Sequence, residues 1–333
     1  MVTKEGLLRS SPPGVNGGHE NGKGAPTPQS ESEKSQEILQ PTEVLKVKGL
    51  SAFYSTYNIF GREIKRQAVI EDFNFSTDKG GVLAIIGPSG SGKSSLLKCL
   101  NRMFEVRDKD KPARPWVKGE VMGVLSEGLG LEDLYAQKNP ELVRRHFGMV
   151  FQQPEPSPNR NIIDEVLVGR GFWFDKRDCT PEVAEHYLRM VGLWDEVKDK
   201  LRKPGTRLSG GQQQRLMLAR ALALESKIVL MDEPTSKLDE IATLKIEEVI
   251  RSLSKEGYTF VIATHKIPEA LRLEGNILFM VADGNRVGRM IEVNTAAQMS
   301  IKPNNPLTEA YITGHLEDYK KYYNEYFHIE NTE

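Results

Sequence analysis

The sequence is short of cysteine, of net charge and of long apolar runs, and each shortage removes a class of protein. Only two cysteines, Cys99 and Cys179, occur in 333 residues. That is too few for a disulfide framework or a cysteine-built metal cluster, so both are expected to be reduced packing residues. Lys and Arg total 45 against 46 Asp and Glu, a formal net charge of -1. Without a basic excess there is no general field for polyanions, and no nucleic-acid partner is expected. The longest apolar stretches, Ile277–Ala282 and the run at Ile228–Met231, are far below the ~20 residues that cross a bilayer and read as buried strands. Lys4 and Arg9 are followed by Pro12, Pro13, Gly14 and Asn16. A secretion leader would place an apolar block there, so the chain is expected to stay in the cytosol.

Residues 1–42 are dominated by Gly, Pro, Ser, Asn, Glu and Lys, a composition that buries too little apolar surface to offset ordering entropy, and are expected to be a disordered tail. From Val44 the pattern changes to short β-rich runs at 44–47, 73–76, 82–86, 149–151, 228–231 and 260–264. Several are apolar nearly throughout, and they alternate with helical patterns at 94–102 and 212–224, which predicts an α/β fold with a largely parallel sheet covered on both faces. Between Pro154 and Pro204 helical stretches at 161–168 and 181–191 replace the strand signals. The expected organisation is a nucleotide-binding domain over 43–293, with its core at 43–149 and 219–293 and a helical subdomain at 150–218. A C-terminal extension occupies 294–333. Its aromatic end, Tyr319, Tyr322, Tyr323, Tyr326 and Phe327, is read as a solvated terminus, with a partner site as the alternative.

Gly87-Pro88-Ser89-Gly90-Ser91-Gly92-Lys93-Ser94 fits the phosphate-loop pattern in full, directly after the apolar run 82–86 and before a helical one. Glycines let successive N–H groups turn inward, and the following helix offers its positive end to phosphate oxygens. Lys93 is then the bridge between β- and γ-phosphates and the Ser94 hydroxyl a Mg²⁺ ligand, with Ser95 beside it. The run Ile228–Met231 ends in Asp232 and Glu233. Neighbouring strand residues point opposite ways, so the two carboxylates are expected to divide the work. Asp232 would hold Mg²⁺, and Glu233 would polarise the attacking water as general base. Phe260–Thr264 is a second apolar run delivering His265 to the sheet edge where α/β folds bind ligands, within reach of the γ-phosphate.

Leu208-Ser209-Gly210-Gly211-Gln212-Gln213-Gln214-Arg215 resembles the signature motif of ABC ATPases, at the place that family has it. Ser209 and the Gly210–Gly211 backbone precede a helix and so offer a second anion cradle. The resemblance implies a phosphate-loop ATPase domain with a RecA-like core, an antiparallel β subdomain and an inserted helical subdomain. It further implies a head-to-tail homodimer in which two ATP molecules are each sandwiched between one copy's phosphate loop and the other's residues 209–212. By the same resemblance Gln152 is the loop glutamine that senses Mg²⁺. Ser236, Leu238 and Asp239 belong to the loop that crosses the dimer interface, and Tyr54 is the aromatic that stacks on adenine. Within the family the chain is most similar to the phosphate-import ATPases, through Leu100–Met103, the doubled Gln213-Gln214 and Glu309–Gly314. Membrane permease subunits, an extracytoplasmic solute-binding protein and a peripheral position on the cytoplasmic face of the inner membrane follow as expectations. Lys237, Glu240, the insert Ser55–Arg66 and the long segment 122–144 depart from the family pattern. An importer of another solute, a non-transport ABC ATPase and a nucleotide-binding regulator remain as alternatives.

Overall fold

Ten strands join into one mixed sheet. The computed structural model describes residues 42–58, 60, 62–106, 113–125 and 130–329. The segment expected to be a disordered tail lies, apart from Thr42, outside the described residues. The strands are β1 (Glu43–Tyr57), β2 (Glu63–Asp78), β3 (Val82–Ile86), β4 (Ala113–Gly123), β5 (Glu132–Asp133), β6 (Phe147–Val150), β7 (Ile228–Asp232), β8 (Thr259–Thr264), β9 (Asn276–Ala282) and β10 (Gly288–Thr295). Their order across the sheet is β5-β4-β1-β2-β10-β9-β3-β8-β7-β6.

Strands β9, β3, β8, β7 and β6 run parallel, while β1, β2, β4 and β5 pair antiparallel. These four antiparallel strands are continuous with the five parallel ones through β10, which runs antiparallel to β9 and parallel to β2. The join is narrow, a parallel pairing of Gly288 with Ile70 and Arg289 with Glu71. Strands β3, β7 and β8 are buried at every residue. Adjacent strand residues face opposite sides, and on β7 this sends Val229 and Met231 into one core and Ile228 and Leu230 into another. Helix Lys93–Leu100 covers the second face through Leu96, Leu97 and Leu100. Helices Gly210–Leu222 and Glu240–Lys255 cover the first. Burial on both faces is why these strands read as unbroken apolar runs.

Between β6 and β7 the regular elements are helical: Ile162–Leu167, Arg170–Trp173, Pro181–Met190, Trp194–Val197 and Gly210–Leu222, with short 3₁₀ turns. The Ser55–Arg66 insert lengthens the β1–β2 hairpin, with Ser55 opposite Arg66 and Thr56 opposite Lys65. Trp116 Nε1 donates to Ser55 Oγ at 2.9 Å and closes its base.

The aromatic end is a correction. It is not a solvated terminus but a helix, Leu316–Phe327, packed with Tyr319, Tyr322, Tyr323 and Phe327 against a third core of Ile86, Ile277, Phe279, Met299 and Leu307. Tyr311 stacks on Phe279 with ring centroids 4.7 Å apart, and Tyr323 Oη donates to the Ala282 carbonyl at 2.7 Å. Burial pushes the Tyr311 and Tyr319 hydroxyls up to about 12. Spacing the aromatics three and four residues apart places them on one helical face.

Glu247, fully buried on helix Glu240–Lys255, accepts Arg272 Nε at 2.8 Å. Arg272→Ala leaves that carboxylate without its partner. Because the Arg272 side chain is 42% exposed, water relieves part of the cost, and a loss of roughly 2 kcal/mol is expected from urea unfolding midpoints. The double change Glu247→Leu with Arg272→Met should recover most of it.

Candidate functional site

The loop from β3 into helix Lys93–Leu100 can be built only from a chain without side chains at two points. Gly87 has φ 154°, and a Cβ there would lie 2.0 Å from the Met280 carbonyl oxygen. Gly92, the residue before the helix, is left-handed at φ 97°, and a Cβ would come within 2.8 Å of Ile70. No side chain caps this helix, so its first-turn N–H groups are not satisfied by a capping oxygen, the arrangement that suits an anion. Ser89 and Gly90 are exposed on the rim, Pro88 and Ser95 half-buried.

Lys93 folds back over this loop. Its Nζ donates to the carbonyls of Gly87 at 2.8 Å and Pro88 at 3.0 Å, and the residue is only 5% exposed. Burial lowers its pKa, while Glu233 and Asp232 oppose the shift. Ser94 Oγ donates to Asp232 Oδ1 at 2.9 Å. Burial pushes the Asp232 carboxyl up, and the Ser94 hydroxyl holds it back. The Ser91 hydroxyl is buried with no partner. Ser94 and Asp232 are an all-oxygen pair at the sheet edge, a donor set of the kind Mg²⁺ takes.

Glu233 does not continue strand β7 as expected. It sits at φ 45°, one residue past the strand end, and its N–H donates to the Ala263 carbonyl of β8 at 2.8 Å. The division between Asp232 and Glu233 thus comes from a left-handed turn, not from strand alternation. The turn aims Glu233 between two groups from other elements. Gln152, just past β6, donates its Nε2 to Glu233 Oε2 at 2.9 Å. His265, just past β8, brings Nδ1 within 3.1 Å of Oε1. Three residues more than 30 apart in sequence therefore meet at adjacent C-terminal strand ends, the edge where open α/β sheets take ligands.

The remaining expected residues lie elsewhere. Ser209 is the N-cap of helix Gly210–Leu222. Its hydroxyl accepts from the Gln212 N–H at 3.4 Å, and Gln212 Oε1 returns to the Ser209 N–H at 3.1 Å, a reciprocal capping box. Gln212 Nε2 also donates to Glu196 Oε2 at 2.8 Å. Gly210 and Gly211 are the first helical residues, packed against Leu238 and Ala242. Asp239 caps the next helix by accepting from the Ala242 N–H at 2.8 Å. These side-chain hydrogen bonds are local, and among the described residues none joins 209–212 or Asp239 to the phosphate loop. Tyr54 stands on β1, 40% exposed, with its ring 5.0 Å from Phe104.

Sequence reasoning passed over Thr235, Thr264 and Glu269, which form a buried hydrogen-bonded group behind Glu233 and His265. A carboxylate four residues after His265, next to Ala270 at the start of a short helix, was the available signal. Tyr319 and Tyr323, named in the sequence only as part of the aromatic end, share a cavity of about 480 Å³ with Pro88, Ser89 and Ser91.

A glycine-shaped phosphate loop with a buried lysine, a serine–aspartate oxygen pair and a carboxylate held between two strand ends together define a phosphate-loop nucleotide-binding protein. Residues 70–236 match the family model described as ABC transporter. Over 275 residues the chain is 42% identical to the phosphate import ATP-binding protein PstB of Streptomyces coelicolor, covering 81% of this chain and 97% of that one. It is 41% identical to the protein of the same name from Tropheryma whipplei, covering 82% and 98%. Among solved structures, the ATP-binding cassette MJ0796, a dimer in a post-hydrolysis state bound to ADP and Pi, aligns with TM-score 0.58 at 26% identity, covering 76% and 98%. The cbiO1 protein of Clostridium perfringens shares the fold, with TM-score 0.58 at 23% identity, covering 83% and 99%. The chain belongs to the ABC transporter family and carries its ATP-binding domain.

Proposed function

We propose that this chain is the ATP-hydrolysing subunit of an ABC importer for inorganic phosphate. The observation that carries the catalytic reading is the Glu233 carboxylate, held by Gln152 and His265 at the strand ends beside Lys93. The curated relatives named above support phosphate as the solute.

Each residue's part follows from its chemistry. Lys93, now occupied by two backbone carbonyls, turns its ammonium to the β- and γ-phosphates, with the loop N–H groups around them. Ser94, Asp232 and Gln152 would hold Mg²⁺, which when bound neutralises phosphate charge. Glu233 takes the proton of the attacking water, and His265, 3.1 Å from its carboxylate, is the neighbouring group for the γ-phosphate. Ser209–Gln212 and Asp239 face the nucleotide of a second copy, so ATP closes the homodimer and loss of the γ-phosphate reopens it. Tyr54 offers its exposed face to adenine.

Among the described residues no helix is long and apolar enough to cross a membrane. The partners are membrane permease subunits, met by the helical stretch 150–218 on the cytoplasmic face of the inner membrane, and an extracytoplasmic solute-binding protein. Deleting this chain should abolish growth on limiting inorganic phosphate. Wild-type chain should restore it and the Glu233→Gln variant should not. Unimpaired growth of the deletion strain, or rescue by that variant, would exclude the reading.

A further inference from the structure

Behind the reacting groups lies a carboxylate that the mechanism above leaves idle. Glu269, on the short helix Ile267–Arg272, is 1% exposed. Its Oε2 accepts two hydroxyls, Thr235 Oγ1 at 2.7 Å and Thr264 Oγ1 at 2.9 Å, while Oε1 is buried without a partner. A buried carboxylate is costly unless well partnered, so its presence here calls for a reason. Burial pushes its pKa up, and the two hydroxyls and Lys266 work against the shift.

The two hydroxyls belong to the segments that carry the chemistry. Thr235, 1% exposed, lies two residues after Glu233, and Thr264, 2% exposed, immediately precedes His265. Thr264 Oγ1 also accepts from the Lys266 N–H at 3.1 Å, which ties together the residues on both sides of His265. Lys266 Nζ then reaches the Thr235 carbonyl at 2.6 Å. The Glu233 loop is anchored at the same point, because Ser236 N–H donates to the Glu233 carbonyl at 3.2 Å and Leu238 N–H to that of Thr235 at 3.2 Å. One oxygen thus measures the distance between two strand ends.

We infer that Glu269 is a positioning residue for ATP hydrolysis: through Thr235 and Thr264 it holds the Glu233 turn in register with His265. This rests on Glu233 being the general base. A merely structural role would lower stability and leave the chemistry of the folded protein intact. A positioning role appears in kcat, because misplacing a base by about 1 Å costs up to ~10²-fold in rate.

The test measures Mg-dependent ATP turnover by the purified full chain carrying Glu269→Ala, Glu269→Gln, Thr235→Val or Thr264→Val, with thermal midpoints alongside. Valine keeps the shape of threonine and removes only the hydroxyl. Glu269→Ala and Thr264→Val should lower kcat by ~10- to 100-fold with the KM for ATP changed by less than about twofold. Glu269→Gln, whose amide oxygen still accepts both hydroxyls, should return to within roughly fivefold of wild type. If Glu269→Ala does not fold, the two valine variants decide. Wild-type kcat in both of them, or an effect confined to KM, overturns the proposal. Should Glu233→Gln itself turn over normally, the base assignment fails instead. A dead Glu233→Gln beside fully active valine variants condemns only the positioning role.

Discussion

Replacing Glu233 by glutamine should stop steady-state ATP turnover, with a fall of at least about 10³-fold, while nucleotide still binds. General-base removal accounts for ~10²- to 10⁴-fold in enzymes of this kind. Glutamine has the size of glutamate and keeps an oxygen that accepts the Gln152 amide, so the left-handed turn at φ 45° and its bond to Ala263 need not move. Only the proposed proton acceptor would be lost. With Lys93, Ser94 and the loop intact, the variant should collect as an ATP-bound dimer, visible as a shift in size-exclusion elution when Mg-ATP is added. Phosphate release within tenfold of wild type would remove Glu233 from the chemistry.

The second large effect concerns the far end of the molecule. Ser209→Arg, placed in the Glu233→Gln background, should abolish ATP-induced dimerisation while each monomer keeps its affinity for ATP. In one chain Ser209 is a helix N-cap, and losing a cap costs about 1 kcal/mol. That is too little to unfold a domain with three buried cores, and Ser209→Ala serves as the control for it. On the proposed two-copy arrangement, an arginine would instead fill the space that a second copy's triphosphate takes. Wild-type turnover in the single Ser209→Arg variant should fall by at least ~10²-fold, the scale of losing a donor aimed at transferring charge. Persistence of the ATP dimer in Ser209→Arg would refute the two-copy sandwich.

These contrasts follow from how the chain encodes the site. The phosphate loop was legible because its glycine, lysine and serine spacing is one contiguous pattern, although the atoms that leave no room for a Cβ at Gly87 and Gly92 belong to Met280 and Ile70, elsewhere in the chain. Strands β3, β7 and β8 were legible to within a residue, since burial on both faces leaves an unbroken apolar run. Lys93, Asp232, Glu233 and His265 could be named because each ends or follows such a run. The turn that separates Asp232 from Glu233 could not be read, because a left-handed glutamate is held by Ala263 on the neighbouring strand, 30 residues away in sequence. The Leu316–Phe327 helix was misjudged for a related reason. Tyrosines among lysines and glutamates look solvated until a core of Phe279, Met299 and Leu307 is brought beneath them.

Local sequence alone therefore determined the groups on offer, an anion loop, a pair of carboxylates, a histidine and a capped second loop, each named by residue type and spacing within a contiguous stretch. Only the tertiary structure decided which of these meet. Gln152, Glu233 and His265 come together because β6, β7 and β8 lie side by side in the sheet. Glu269 acquires its place between Thr235 and Thr264 through the same pairing. Strand order is a property of the packed whole, in which distant segments share one buried surface, and no short stretch of chain records it.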